Sequence, residues 1–166
     1  MFEVLVFVYE NYWRGDACPQ GDHLGRKLSA VGFEQEEIQE ALAWLNGLSL
    51  ATRGMDQPGT AGVAPQGTPD PGLAPSASSM RVYSVDEQNR MGPQCLGFLH
   101  FLESSKVLPA HMREVVIDRA MASNSSMLNL DDLKIIVLMV YWSFGEEPEA
   151  LVLDELCDDS GDRVAH

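Results

Sequence analysis

Glu114 and Asp118 lie four residues apart on one face of a predicted helix, a spacing that could divide acid and base roles within one cleft. Arg113 and Arg119 flank them, and the alternating signs of Arg113-Glu114 and Asp118-Arg119 point instead to a salt-bridged face, with Asp118 expected to be buried between helices. Gly47-Leu-Ser-Leu-Ala51 comes near the G-x-S-x-G nucleophile motif. It lacks the closing glycine, however, and falls at a helix end instead of between strand and helix. No G-x-x-x-x-G-K-[ST] or G-x-G-x-x-G occurs, so no loop is available to cradle a phosphate at a helix N-terminus. His23, His100, His111 and His166 share no ligand spacing with one another or with Cys18, Cys95 and Cys157, whereas a zinc site needs three or four converging ligands. His100 reads as a surface partner of Glu103, and His111 as an exposed first-turn residue. Asp158 to Asp162 lacks the alternate-position acids and closing Glu of a calcium loop. The expectation is a protein that is not an enzyme and holds neither a metal nor a cofactor.

Recognition chemistry is the other possibility. Leu24, Leu28, Gly32, Phe33, Ile38, Ala41, Leu42, Trp44 and Leu45 carry the spacing of a helix-turn-helix, whose second helix would enter a DNA major groove. Glu34, Glu36, Glu37 and Glu40 occupy the first turns of that helix, where phosphate and base contacts call for Arg, Asn, Gln or backbone donors. Four carboxylates there repel phosphate and make this face a candidate protein-contact surface. The alternative is a winged-helix-like nucleic-acid binder using Arg26, Lys27 and Arg81. No basic cluster larger than Arg26-Lys27 is present, which argues against backbone binding.

The 166 residues carry 25 acids and 11 bases, a net charge of -14. Eight of the acids and only one base, Arg163, fall in residues 146–166, so the middle of the chain is close to neutral. The longest apolar run, Ile135 to Trp142, spans 8 residues, against the roughly 20 that cross a bilayer. The first residues, Met1 to Tyr9, have no basic region and no small-residue cleavage site. An odd number of widely separated cysteines suits reduced thiols, and a cytoplasmic location is expected.

The elements that must position these groups are mainly helical. Phe2, Leu5, Val6, Tyr9 and Trp13 recur at helical spacing, as do Leu24, Leu28 and Val31, then Ile38, Ala41, Leu42 and Leu45. Residues 51–80 hold five Gly, five Pro and three Ser, and read as a disordered tether. Ser49 to Thr52 before it and Met80 to Tyr83 after it are expected to pair as a short β-hairpin, which gives the N-terminal part, residues 1–84, a winged-helix-like order of three helices plus hairpin. A helical bundle is expected over 85–157. Ser84-Val-Asp-Glu87 is a capping box opening a short helix, followed after Gly92-Pro93 by a helix with Cys95, Phe98, Leu99 and Leu102 on one face. Pro109 suits a first helical position before Met112, Val116, Ile117, Ala120 and Met121. Asn129 caps a last core helix, apolar on every side and hence central, with Leu128 able to staple onto Leu133. A further short helix from Pro148 and a solvated acidic tail, 158–166, complete the prediction. The three Trp are expected to be mostly buried.

Five blocks resemble the bacterial Smg family: Phe33-Glu-Gln-Glu-Glu-Ile-Gln-Glu-Ala-Leu-Ala-Trp-Leu45, Arg81-Val-Tyr-Ser84, Gly97-Phe-Leu-His-Phe-Leu-Glu103, Arg113-Glu-Val-Val-Ile-Asp-Arg-Ala-Met121 and Leu130-Asp-Asp-Leu-Lys134. They follow in order across nearly the whole chain outside the tether. The departures from the family pattern are the length of the tether and Ile135-Ile136, where a Trp often follows the Lys. The resemblance implies no active site. With the enzymatic motifs excluded and the acidic face of the third helix as contact surface, the expected function is a cytoplasmic, non-enzymatic adaptor working through a protein partner; genes of family members often lie beside those of a DNA-processing protein and topoisomerase I, and that neighbourhood implies DNA processing or topology as the setting.

Overall fold

The computed structural model describes residues 1–12, 22–53, 81–125 and 127–146, which form six helices: α1 (Phe2–Tyr12), α2 (Asp22–Val31), α3 (Gln35–Arg53), α4 (Val85–Ser104), α5 (Ala110–Met121) and α6 (Leu130–Phe144). Trp13, Cys18, Cys157, His166, residues 54–80 of the expected tether, the helix expected from Pro148 and the tail 158–166 lie outside the described residues. Among the described residues no helix is long and apolar enough to cross a membrane.

α6 is the centre. Leu133, Ile136, Val137, Met139 and Val140 are fully buried, and the helix packs against α1, α3, α4 and α5. Each such side chain contributes roughly 1.5–3 kcal/mol on burial. Both ends follow from sequence. The Asn129 side chain accepts from the Asp132 amide at 2.7 Å, and Gly145, at φ 68°, supplies the left-handed residue that lets the Gly145 and Glu146 amides reach the last-turn carbonyls of Trp142 and Tyr141. Around α6, α1 buries Val4, Leu5 and Val8, α2 buries Leu24 and Leu28, and α5 buries Met112, Val115, Val116, Ile117 and Ala120. These residues and the inner face of α3 belong to one apolar core.

The predicted wing is not formed. Ser49 to Thr52 continue α3 to Arg53, because the apolar period set by Ile38, Ala41, Trp44 and Leu48 runs on to the buried Thr52. The Thr52 hydroxyl is satisfied inside the helix by the Leu48 and Ser49 carbonyls at 3.1 and 3.2 Å. A helix that keeps its buried stripe for another turn outweighs the local strand preference of so short a segment. Residues 81–84 belong to no strand, and their polar groups are taken by α4: Glu87 Oε2 accepts from the Ser84 amide at 2.7 Å, and Gln88 Nε2 donates to the Tyr83 carbonyl at 2.8 Å. Among the described residues there is no β-strand. The helical pair ahead of it does form. Gly32 at φ 112° ends α2, its amide and that of Phe33 bonding back to Leu28, and α2 packs on α3.

α4 joins the two helices expected on either side of Gly92. Its capping box is complete, and Gly92, at φ 68° and ψ 172°, breaks the run before Pro93. The carbonyl that this break frees is not lost: Arg90 O accepts from the Leu128 amide at 2.8 Å. The Arg90 guanidinium also donates to the Ser123 and Ser125 carbonyls, each at 2.7 Å, so the kink holds the α5–α6 connection. Pro109 is extended (φ -61°, ψ 153°) and precedes α5 as its cap residue, one position earlier than expected.

Candidate functional site

Among the described residues, the largest connected group of ion-paired side chains joins the segment before α4 to α4 and α5. The Arg81 guanidinium grips Glu87 with Nη1 and Nη2, both at 2.9 Å, and Glu114 with Nε and Nη2 at 3.1 Å. The Arg81 group also lies 4.8 Å from the centre of the Tyr83 ring. Arg113, buried to 8% exposure, donates to Glu114 at 2.8 and 3.0 Å and to Glu103 on α4. Two cations thus serve three carboxylates in a closed lattice. Arg81 holds the Glu87 carboxyl down at about 2, with help from the Ser84 amide, against the cost of desolvation. Burial pushes the Glu114 carboxyl up, but Arg81 and Arg113 together outweigh it and leave it below the usual carboxylate range. Desolvation raises the Tyr83 phenol. Each carboxylate of the lattice has a guanidinium partner, and Glu87 and Glu114 are held ionised by theirs. Glu87 and Glu114, both lowered, are poor candidates for a general acid near neutral pH, and the two guanidiniums are already engaged by carboxylates.

The Glu114 and Asp118 pair is therefore divided between two contacts. Asp118 is not the buried bridge expected from its flanks: its side chain is 58% exposed and pairs with Arg119 at 2.6 Å. The partly buried member is Arg119, whose Nη1 donates to the Trp44 carbonyl at 3.5 Å while Trp44 Nε1 donates to the Arg119 carbonyl at 3.1 Å. This clasp explains Gly47. A Cβ there would fall onto the Arg119 guanidinium, so the guanidinium sits against bare α3 backbone. His100 and His111 are exposed. Glu103 is engaged by Arg113, and the His111 ring meets Phe144 edge-on at 5.5 Å. Trp44 is buried, and Trp142 is partly buried with Nε1 donating to the Tyr12 carbonyl at 3.4 Å. Cys95 is buried, and desolvation pushes its thiol up to about 11. Among the described residues no group of three or more His, Cys, Asp or Glu could hold a metal ion.

The four acids of the predicted contact surface do share the start of α3. Glu34, Glu36 and Glu40 are exposed and Glu37 is half-buried. The Glu34 carbonyl takes the Ile38 amide at 3.0 Å as the helix begins. Glu37 lies 3.5 Å from the N-terminal amine of Met1, and Glu40 accepts from Asn124 Nδ2 at 2.8 Å, so two of the four are tied to neighbouring elements. Arg26 and Lys27 are exposed on α2, where Lys27 Nζ lies over the Tyr12 ring at 5.4 Å. Arg81 does not join them, being held by α4 and α5. Sequence reasoning saw Glu87 only as a cap and missed its second partner. The Arg81–Glu114 pair spans 33 residues, and no local pattern announces a contact of that separation.

Comparison with known proteins bears on all 166 residues. The family model described as Protein of unknown function (DUF494) matches residues 1–166. "Protein Smg homolog" of Methylibium petroleiphilum and that of Leptothrix cholodnii are each 54% identical over 166 residues, covering 100% of both chains. The protein of the same name from Bordetella pertussis is 43% identical, again over 100% of both. The Gly/Pro-rich stretch is thus not an addition relative to these relatives. No solved structure matches the chain. With the whole length matched by the family model and by relatives of this name, the chain belongs to the Smg family, a family of unknown function.

Proposed function

We propose that the chain is a non-enzymatic adaptor that binds another protein through the acidic face at the start of α3, formed by Glu34, Glu36, Glu37 and Glu40. One observation carries this: Glu34, Glu36 and Glu40 present their carboxylates to solvent on consecutive turns, whereas every carboxylate of the Arg81–Arg113 lattice is already engaged by a guanidinium. Solvent-exposed carboxylates clustered in this way steer a basic partner surface and set its register. Packing of α3 on α1, α2, α5 and α6 makes that face rigid, which lowers the entropic cost of binding. The gene neighbourhood that came with the family resemblance supports DNA processing or topology as the setting and a cytoplasmic location.

The test is affinity capture of the tagged full chain from lysate, with and without nuclease, beside the variant Glu34→Gln/Glu36→Gln/Glu40→Gln. A discrete, nuclease-resistant partner that the wild type retains and the variant loses is expected. Equal capture by both would remove the α3 face from consideration. The nucleic-acid alternative has no specific observation in its favour, since of its three cations Arg81 is engaged by two carboxylates.

A further inference from the structure

Residues 1–145 carry 17 acids and 10 bases, and residues 146–166 add eight acids against Arg163 alone. Among the described residues the exposed Lys and Arg side chains are Arg26 and Lys27 on α2, Arg53 at the end of α3 and Lys106 after α4. Only Arg26 and Lys27 are neighbours in the chain, and no carboxylate among the described side chains pairs with either. The end of α6 lies close to this pair. Tyr12, the last residue of α1, joins the two: its carbonyl accepts from Trp142 Nε1 in the last turn of α6 at 3.4 Å, and Lys27 Nζ lies 5.4 Å from the centre of its ring. Gly145, at φ 68°, then ends α6, and the chain leaves it at the exposed Glu146.

We propose that the acidic segment 147–166 docks on α2 through Arg26 and Lys27, so that the chain covers its own exposed cation pair. Charge selects this occupant. The segment carries seven acids and one base, and an acidic chain repels it over most of its surface; the adjacent cations of α2 are where it is attracted. Reach allows it. A coil of 20 residues has an average span of about 25 Å, and Glu147 and Glu149 fall within the first three positions beyond Glu146. Because the segment is tethered beside its site, its effective concentration is of millimolar order. A few exposed ion pairs, each contributing roughly 0.2–1 kcal/mol, then suffice to hold it, whereas the same peptide free in solution would bind negligibly. Another polyanion must displace the tail before it reaches α2. This inference is independent of the adaptor proposal, which concerns α3.

The test places a nitroxide on Cys157, inside the segment, in the full chain carrying Cys18→Ser; Cys95 is buried and stays unlabelled. Broadening of the backbone amide signals by the nitroxide is then read by NMR at low and at high salt. Broadening centred on Arg26 and Lys27 is expected at low salt, and it should fall at least about twofold at high salt, where exposed charges are screened. Arg26→Gln/Lys27→Gln keeps helix-forming side chains on α2; it is expected to retain the wild-type circular dichroism and to lose the broadening to the same extent without added salt. A chain whose α2 amides are not broadened at low salt would overturn the proposal. So would broadening that neither salt nor the double variant reduces, since proximity without charge pairing would then account for it. Isotope-labelled chain without nitroxide, mixed with nitroxide-bearing chain, should show no broadening of α2; equal broadening in that mixture would mean that the tail of a second copy is the occupant, and would overturn the intramolecular contact.

Discussion

Replacing Arg81 with Met keeps most of the aliphatic stem and deletes the guanidinium that ties the chain before α4 to two helices. The loss comprises a two-pronged contact to Glu87 and another to Glu114. Hydrogen bonds to charged groups contribute roughly 1.5–3 kcal/mol where solvent is largely excluded. The Glu87 side chain is 15% exposed and takes that scale, whereas Glu114, at 42%, is discounted toward surface values for screening. Together these predict a destabilisation of about 2–3 kcal/mol at neutral pH, read as a lower urea midpoint at unchanged slope. The pH dependence gives a second reading. Glu87 lies at about 2 in the fold against an ordinary 4.5, and Glu114 is also lowered. For a depressed carboxylate the stabilisation is complete above the unfolded value and is lost as pH falls through the folded one. The gap between wild type and Arg81→Met should therefore be constant above about pH 5 and close progressively toward pH 2. A gap under about 0.5 kcal/mol, or one that does not change with acid, would refute the view that this lattice anchors the segment.

Four further outcomes follow from the same geometry. Gly47→Ala should destabilise by about 1 kcal/mol, because the new methyl displaces Arg119 from the Trp44 clasp; combined with Arg119→Ala the same change should stabilise by about 1 kcal/mol through helix propensity alone, as urea titrations of the four chains would show. Gly92→Ala should cost about 1–3 kcal/mol in thermal or urea unfolding, since φ 68° with ψ 172° is a conformation essentially restricted to glycine. Cys95 should resist thiol alkylation under native conditions and react on unfolding, because its thiol is buried and pushed up to about 11; peptide mapping by mass spectrometry reports it directly. Titration of the full chain against duplex and single-stranded DNA at low salt should stay flat, whereas binding that weakens steeply with salt would restore Arg26 and Lys27 as phosphate contacts.

Local signals in the sequence were enough where the structure is locally determined. The Ser84–Glu87 box, the Asn129 cap and the all-round apolar run of α6 each involve residues within a few positions, and each forms as expected. Where tertiary packing decides, the sequence misled. Ser49 to Thr52 look like a strand on composition, yet the buried stripe of α3 carries them as helix because the α5 and α6 surfaces are there to receive it. Asp118 looks like a buried bridge from its flanking charges, yet Arg119 is the residue turned inward, a choice set by the Trp44 carbonyl 75 residues away. The lattice was half legible: Arg113 beside Glu114 promised an ion pair, but its links to Arg81 and Glu103 depend on how α4 and its approach lie along α5. The acidic face of α3 was fully legible as four carboxylates on consecutive turns, but not the ties of Glu37 to the N-terminal amine and of Glu40 to Asn124.

The adaptor proposal is tested most directly by capture from lysate with nuclease present, wild type beside Glu34→Gln/Glu36→Gln/Glu40→Gln, with bound proteins identified by mass spectrometry. The account predicts one discrete partner on the wild type, released by salt and absent from the variant, while both chains melt alike. A partner held equally by both chains, or one that disappears from the wild type once nuclease is added, would contradict it.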